Sequence, residues 1–413
     1  MKKFCVFLSI FLLLIPLFTY AEAVEAPPTE EENQTETTED NQNNSSSNNS
    51  TSDLIAGAKA GILMEASTGQ ILFEKNKDEQ LAVASMTKMV AQILILEAIE
   101  DGKISWDDPV KASENAASMG GSQIYLAAGE TLTVEEMMKG ISMASANDAT
   151  VAMAEFLAGT EVEFVKQMNE KVQELGLKNT VFKNSTGLDE DGHYSSAYDM
   201  AIIAQELLKH EKILEFSSLY EDYLRTDTEN KFWLVNTNKL VRFYEGADGL
   251  KTGHTDAAAY CLAATAKRND MRLIAIVLGE NDSTTRNSET MELLDYGFNT
   301  YQIQIVKQKG DIVKTMPLEK ATEQEIALTP ISDIGILSQK GIQTKEYTYD
   351  IQLNKIKLPI KQGDTVGKLI VKDGDTVITE GDLTVTKEVK PLSLLNLFAA
   401  TLKDIIAGNC QFQ

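Results

Sequence analysis

The chain is poor in the residues that usually announce a metal or redox centre, with three cysteines and three histidines in 413 residues. Cys5 lies at the extreme amino end, Cys261 in an apolar run and Cys410 near the carboxyl end, so no disulfide framework is implied. His193, His210 and His254 have no metal-ligand spacing among themselves or with the cysteines. Neither a metal nor a cofactor is therefore expected. Basic residues are scarce as well. There are 38 Lys and Arg against 62 Asp and Glu, a net charge of −24, which argues against a nucleic-acid partner and the clustered basic face it would need. The apolar stretch from Phe4 to Phe18 is short for a membrane-spanning helix and is broken by Pro16.

That stretch instead reads as a secretory signal peptide over residues 1–23. Lys2 and Lys3 precede it, and Ala21-Glu22-Ala23 fits a small-x-small cleavage site. Cys5 lies too early to be a lipid-attachment cysteine. Residues 24–53 are Glu, Asn, Gln, Ser and Thr with almost nothing apolar, so they cannot bury a core and are expected to form a disordered acidic spacer. The remaining length, in a chain that is 43% hydrophobic, suits two folded domains.

The first, over 54–302, reads as α+β. Ile62-Leu63-Met64 and Ile71-Leu72-Phe73 flank a turn at Ser67 to Gly69, a β-hairpin. An almost unbroken apolar run from Met89 to Ile99 follows and reads as a buried helix. Thr133 to Glu136 looks like a capped helix start, a further helix runs through Phe164 to Leu175, and Ser196 caps another through Leu207. The strands Ala259–Ala266 and Arg272–Gly279 form a second hairpin, and Ser288 to Phe298 a last helix. The two hairpins are expected to build one antiparallel sheet with helices on its faces. Residues 303–390 change to short alternating segments and read as a small all-β domain without catalytic groups. In 391–413, Leu394, Leu395, Phe398, Leu402, Ile405 and Ile406 share one helical face, which suits an amphipathic helix lying in a membrane surface.

Three short motifs carry the chemistry. Ser85 opens the buried helix and Lys88 lies three residues on, hence on the same face one turn later, where desolvation lets the amine act as a base toward the hydroxyl. The Ser85 hydroxyl also suits a helix cap. Ser145-x-Asn147 offers a hydroxyl to relay a proton and an amide to hold a substrate backbone group. Lys251-Thr252-Gly253 offers a cation and a hydroxyl for a carboxylate, with a glycine that would admit a substrate chain to a strand edge. Backbone N–H groups of Ser85 and His254 could form an oxyanion hole. Each motif alone is commonplace; the three in this order are specific, as a set known from penicillin-binding proteins and class A β-lactamases.

The sequence resembles the D-alanyl-D-alanine carboxypeptidases, low-molecular-mass penicillin-binding proteins. The resemblance rests on the segments Ala84 to Lys88, Ser145 to Ala149, Asn184 to Leu188, Ser196 to Met200 and Asp248 to Thr255. It implies the penicillin-recognising serine-enzyme fold, and acylation of Ser85 by peptidoglycan stem peptides ending in D-Ala-D-Ala. Catalytic roles fall to Ser85, Lys88, Ser145 and Asn147, and substrate binding to Lys251, Thr252, Gly253 and His254. β-Lactams would trap the same serine, and the enzyme would act outside the cytoplasmic membrane, held there by its tail. Val83, Ala146 and Ala259 depart from the family pattern without removing a reacting group, although Ala146 could narrow the space beside Asn147. A DD-endopeptidase or β-lactamase on the same site is the alternative, as is a non-catalytic wall-binding protein. No Glu-bearing deacylation loop stands between the second and third motifs, and no Gly-x-Ser-x-Gly elbow surrounds Ser85.

Overall fold

The structure is a computed structural model that describes residues 54–342, 346–393 and Phe398. The signal peptide and acidic spacer expected from the sequence lie outside the described residues. So does the amphipathic tail beyond Ser393, Phe398 excepted.

A five-stranded antiparallel sheet forms the centre of the first region. Its strands are β1 (Ala60–Glu65), β2 (Ile71–Lys75), β3 (Ala247–Thr255), β4 (Ala259–Arg268) and β5 (Met271–Glu280), in the order β2-β1-β5-β4-β3. Both hairpins are therefore in one sheet. They are joined by β1 and β5, where Ile62 faces Ile276, and β3 adds to the open side of the second hairpin as an edge strand. Alternate residues of β1 and β5 face opposite ways, as strand pleating demands. Ile62, Met64, Ile274 and Ile276 enter a core with the helices that follow β2, while Leu63, Leu273, Ala275 and Val277 enter a second core on the other face.

The first face is covered by α1 (Lys88–Glu100), α2 (Val134–Ala144), α3 (Asn147–Ala158), α4 (Glu161–Glu174) and α5 (Ala197–Lys209), and the second by α6 (Ser283–Thr300). α1 carries the long apolar run. Met89, Val90, Ile93 and Ile95 are fully buried, each worth roughly 1.5–3 kcal/mol of transfer free energy. α2 starts on a capping box, in which the Thr133 side chain accepts from the Glu136 N–H while Glu136 reaches back to the Thr133 N–H. α5 starts on Ser196, whose hydroxyl accepts from the Asp199 N–H. The last helix is longer than its apolar centre suggests. It begins at Ser283 because Asp282 accepts from the N–H groups of Thr284 and Thr285.

The C-terminal region is all β. Its strands are β6 (Tyr301–Lys307), β7 (Lys314–Pro317), β8 (Glu325–Pro330), β9 (Ile334–Gln339), β10 (Thr348–Leu353), β11 (Gly367–Asp373) and β12 (Thr376–Val385). β6 pairs with β9, and the other five form a sheet in the order β7-β8-β12-β11-β10 around a core that includes Leu328, Leu369, Val371 and Leu383.

Candidate active site

Ser85 sits in a 3-10 turn, Ala84–Thr87, that feeds directly into α1. Ala84 enters this turn with φ 47°, a left-handed value that costs an alanine energy and persists only where the surroundings enforce it. The expected role of Ser85 as a helix cap is not observed, since neither the turn nor α1 carries a side-chain cap. The hydroxyl instead stands 2.8 Å from Lys88 Nζ. The spacing of three residues gives this contact through the rise of a tight turn rather than of an α-helix.

Lys88 is fully buried. Its amine donates to the Thr186 carbonyl at 2.6 Å. Burial first, then the positive charge of Lys251, hold Lys88 well below the ordinary lysine range, with Asp148 opposing. An amine without its proton has a lone pair to take the Ser85 proton while an N–H remains on Thr186.

The loop that delivers Thr186 is tied down on several sides. Asn184 Oδ1 accepts from the Gly187 N–H at 2.8 Å, and Ser185 donates its hydroxyl to Glu161 at 2.7 Å. Gly187 has φ 83°, and a Cβ there would lie 1.9 Å from the Ala84 carbonyl oxygen, so only glycine lets this loop meet the Ser85 turn. His193 supports the same junction. Its Nδ1 accepts from the Lys183 N–H at 3.2 Å, which leaves Nε2 to donate to Thr87 Oγ1 at 2.8 Å. Burial brings His193 down to about 4, so it does this as a neutral ring.

The second motif occupies the break between α2 and α3. Ser145 ends α2 at φ 60° and Asn147 begins α3. Lys251 Nζ donates to Ser145 Oγ at 2.8 Å and to the Thr252 carbonyl at 2.9 Å. Burial, then the charge of Arg286, lower Lys251 to about 7. Asn147 Nδ2 donates to the Gly120 carbonyl at 2.7 Å, while its buried Oδ1 has no partner among the described residues. Ala146 is fully buried in the core formed by α1 to α5. Asp148, whose role the sequence did not reveal, is buried and accepts from the N–H groups of Ile124, Leu126 and Ala149, so it fixes the segment that follows Gly120 and Ser122, the two residues whose carbonyls Asn147 meets.

The third motif lies on edge strand β3. Lys251 and Thr252 are buried, and Thr252 Oγ1 donates to Thr237 Oγ1 at 2.8 Å. Gly253 has a different reason from the one expected. A Cβ there would lie 2.6 Å from the Val83 carbonyl oxygen, so the missing side chain makes room for the protein's own Ser85 turn. His254 is exposed and its ring lies 4.1 Å from that of Tyr260, apart from the buried charges. Beside the serine opens a cavity of about 270 Å³ lined by Val83, Ala84, Gly187, Leu188, His193 and Ala257 among others. Thr255 Oγ1 donates to Asp189 at 2.6 Å, tying the end of β3 to that loop.

Among the described residues, Ser85, Lys88, Ser145, Asn147, Lys251 and Thr252 thus form two hydrogen-bonded pairs, Ser85 with Lys88 and Ser145 with Lys251, beside an unsatisfied amide. Cys261 plays no comparable part, since burial raises its thiol to about 11.

The chain is similar to known proteins over most of its length. Residues 46–282 match the D-alanyl-D-alanine carboxypeptidase family, and residues 301–391 match the C-terminal domain of penicillin-binding protein 5. The D-alanyl-D-alanine carboxypeptidase DacF of Bacillus subtilis (strain 168) is 48% identical over 355 residues, which cover 86% of this chain and 91% of that protein. The D-alanyl-D-alanine carboxypeptidase DacA of Escherichia coli (strain K12) is 33% identical, covering 80% of this chain and 83% of that protein. Among solved structures, penicillin-binding protein 5 from Haemophilus influenzae is 31% identical with TM-score 0.63, covering 81% of this chain and 98% of that one. Penicillin-binding protein D2 from Listeria monocytogenes, in its ampicillin-bound form, is 31% identical with TM-score 0.53, covering 59% of this chain and 98% of that one. The chain belongs to the D-alanyl-D-alanine carboxypeptidase family and is a serine-type carboxypeptidase with the penicillin-binding fold.

Proposed function

We propose that Ser85 is the nucleophile and Lys88 its base, acting on peptidoglycan stem peptides that end in D-Ala-D-Ala. The observation that carries this is the 2.8 Å contact between Ser85 Oγ and a buried Lys88 amine whose ordinary charge is disfavoured. Ser85 Oγ attacks the carbonyl of the penultimate D-alanine and its proton passes to Lys88 Nζ. The peptide C–N bond breaks and the departing D-alanine nitrogen takes a proton from the Ser145 hydroxyl, which Lys251 replenishes. The Lys88 ammonium then gives its proton up to solvent and Lys251 regains one; water attacks the acyl ester, Lys88 Nζ takes a proton from it and passes it to Ser85 Oγ as the ester C–O bond breaks, which frees the serine and the carboxylic acid.

Substrate contacts follow from the same geometry. Asn147 Oδ1 is an acceptor awaiting an N–H. The ammonium of Lys251 and the hydroxyl of Thr252 suit the terminal carboxylate, and β3 is an edge along which a peptide can add as a strand. The N–H groups of Ser85 and His254 form the oxyanion hole. β-Lactams acylate Ser85 in the same way, as the ampicillin-bound Listeria relative suggests.

The wider layout belongs to the same reading, with a signal peptide over 1–23, a spacer over 24–53, a catalytic domain over 54–302, a β domain over 303–390 and a membrane-surface tail over 391–413. The enzyme is thereby held at the outer face of the cytoplasmic membrane. Among the described residues no helix is long and apolar enough to cross a membrane. Flotation with phospholipid vesicles should fail when 391–413 are removed; unchanged flotation would refute the tail's role.

Intact-mass analysis after brief exposure to a penicillin tests the chemistry. A stable adduct on the wild type and none on Ser85→Ala is expected. Rapid release of hydrolysed drug would make the enzyme a β-lactamase, and no adduct at all would overturn the assignment of Ser85.

A further inference from the structure

At the far end of the catalytic helix from Ser85, α1 and α5 bring together three groups that the mechanism does not use. We propose that Glu97, Glu206 and His210 form a binding site for one zinc ion, which clamps the C-terminal ends of α1 and α5. The donor atoms of the three residues all lie within 4.8 Å of one another. Glu97 belongs to α1, Glu206 to α5, and His210 is the residue on which α5 ends.

The histidine carries the argument. Its ring is buried, and Nδ1 lies 2.8 Å from Glu100 Oε1. That contact fixes the tautomer, with Nδ1–H donating to the carboxylate and the lone pair on Nε2. Nε2 is buried and has no partner. A buried acceptor without a partner is costly and calls for an occupant. A histidine that donates one ring N–H to a carboxylate, keeps its other nitrogen unpartnered and stands in a cluster with two further carboxylates has the arrangement of a metal ligand with its outer support.

Charge points the same way. Lys171 holds one oxygen of Glu97 at 2.7 Å and also pairs with Glu174, while Lys209 holds one oxygen of Glu206 at 2.6 Å. Each ligand carboxylate therefore keeps its other oxygen. Glu97, Glu100, Glu174 and Glu206 against Lys171 and Lys209 leave two uncompensated negative charges, which a divalent cation balances. One imidazole nitrogen and two carboxylate oxygens suit zinc, with water as a fourth ligand, better than calcium or magnesium, which prefer oxygen alone. The histidine spacing gave no hint of this because the ligands come from two helices. Only Glu206 and His210, four apart on one helix face, share a stretch of chain.

The test uses the full-length protein, stripped of metal and titrated with zinc against a chromophoric chelator, alongside thermal unfolding. The wild type should retain one zinc per chain in competition with the chelator and should melt higher with zinc than without. His210→Ala should lose both effects, and Glu100→Gln should weaken binding by about tenfold or more, as expected of an outer-shell partner. If His210→Ala does not fold, Glu206→Gln takes its place and should lose tight binding. Tight binding that survives in His210→Ala or Glu206→Gln, that is unchanged in Glu100→Gln, that vanishes instead in a His254→Ala variant, or that is absent from the wild type would overturn the site.

Discussion

Gly253 and Val83 approach so closely that a Cβ on the glycine would stand 2.6 Å from the Val83 carbonyl oxygen. The backbone of β3 thus supports the turn that carries Ser85. Gly253→Ala must push that turn away, and a displacement near 1 Å costs about a hundredfold in reactions that depend on alignment. Acylation by a fluorescent penicillin is expected to slow by roughly that factor, with the thermal unfolding midpoint little changed. A variant that acylates at the wild-type rate would show that the turn accommodates the methyl without moving the hydroxyl.

The surroundings of Lys88 hold its amine well below the ordinary lysine range. Burial disfavours its charged form and the Lys251 charge adds to this, so the amine gives up its proton more readily than a free lysine. Acylation should rise with pH as the Lys88 proton is lost and reach its plateau well below the ordinary value of 10.5. Stability follows the same sign. The unfolded chain keeps a proton that folded Lys88 has lost, so this residue makes the fold more stable as pH rises toward the ordinary lysine value. Lys251→Met removes the neighbouring charge, and the ascending limb of acylation against pH should move upward. An unmoved limb would assign the whole depression to burial.

Asp148 is buried with three backbone N–H groups on its carboxylate. Asp148→Ala leaves those donors without partners, and a loss of roughly 2–4 kcal/mol in denaturant unfolding is expected. Carboxypeptidase turnover should fall as well, because the chain just beyond Gly120, whose carbonyl accepts the Asn147 Nδ2–H, is no longer held. Asp148→Asn keeps one acceptor and should lie between the two.

Glu280 and Glu289 form a second pH-sensitive place, remote from the serine in sequence. Burial first, then hydrogen bonding to Glu289 and its charge, raise Glu280 to about 7. A carboxyl that is easier to protonate when folded stabilises the protein fully below its ordinary value of 4.5, and this contribution is lost as pH rises through about 7. Glu280→Gln cannot ionise. The urea midpoint of the variant relative to the wild type should therefore be higher at pH 8 than at pH 5, and an equal difference at both would remove the pair as a source of pH dependence.

Much of the fold was legible because the local signals agreed with one another. The apolar run of α1, the Thr133 and Glu136 capping box and the paired apolar stretches Ala259–Ala266 and Arg272–Gly279 each name their element. The start of α6 was hidden, since Ser283 to Asn287 offer no apolar periodicity and only the Asp282 side chain fixes the boundary. At the site, residue types and order singled out residues that the fold brings together, Ser85 with Lys88 and Ser145 with Lys251, but not what holds them. Asp148, Glu161 and His193 act on backbone and side-chain atoms far along the chain, and no spacing in the sequence reveals such partners. Gly253 was legible as a close approach, yet the neighbour proved to be the Ser85 turn.

The central sheet also governs when the enzyme comes into being. β1 has its place between β2 and β5, with Ile62 opposite Ile276, so the strand preceding Ser85 stays half-partnered until the chain beyond Met271 has been made. Lys251, on β3, reaches the Ser145 hydroxyl only once that strand has joined the same sheet. Contacts between such distant parts of the chain form slowly. Ser85 is synthesised early and its surroundings are completed late, so the nucleophile we propose is until then an ordinary hydroxyl.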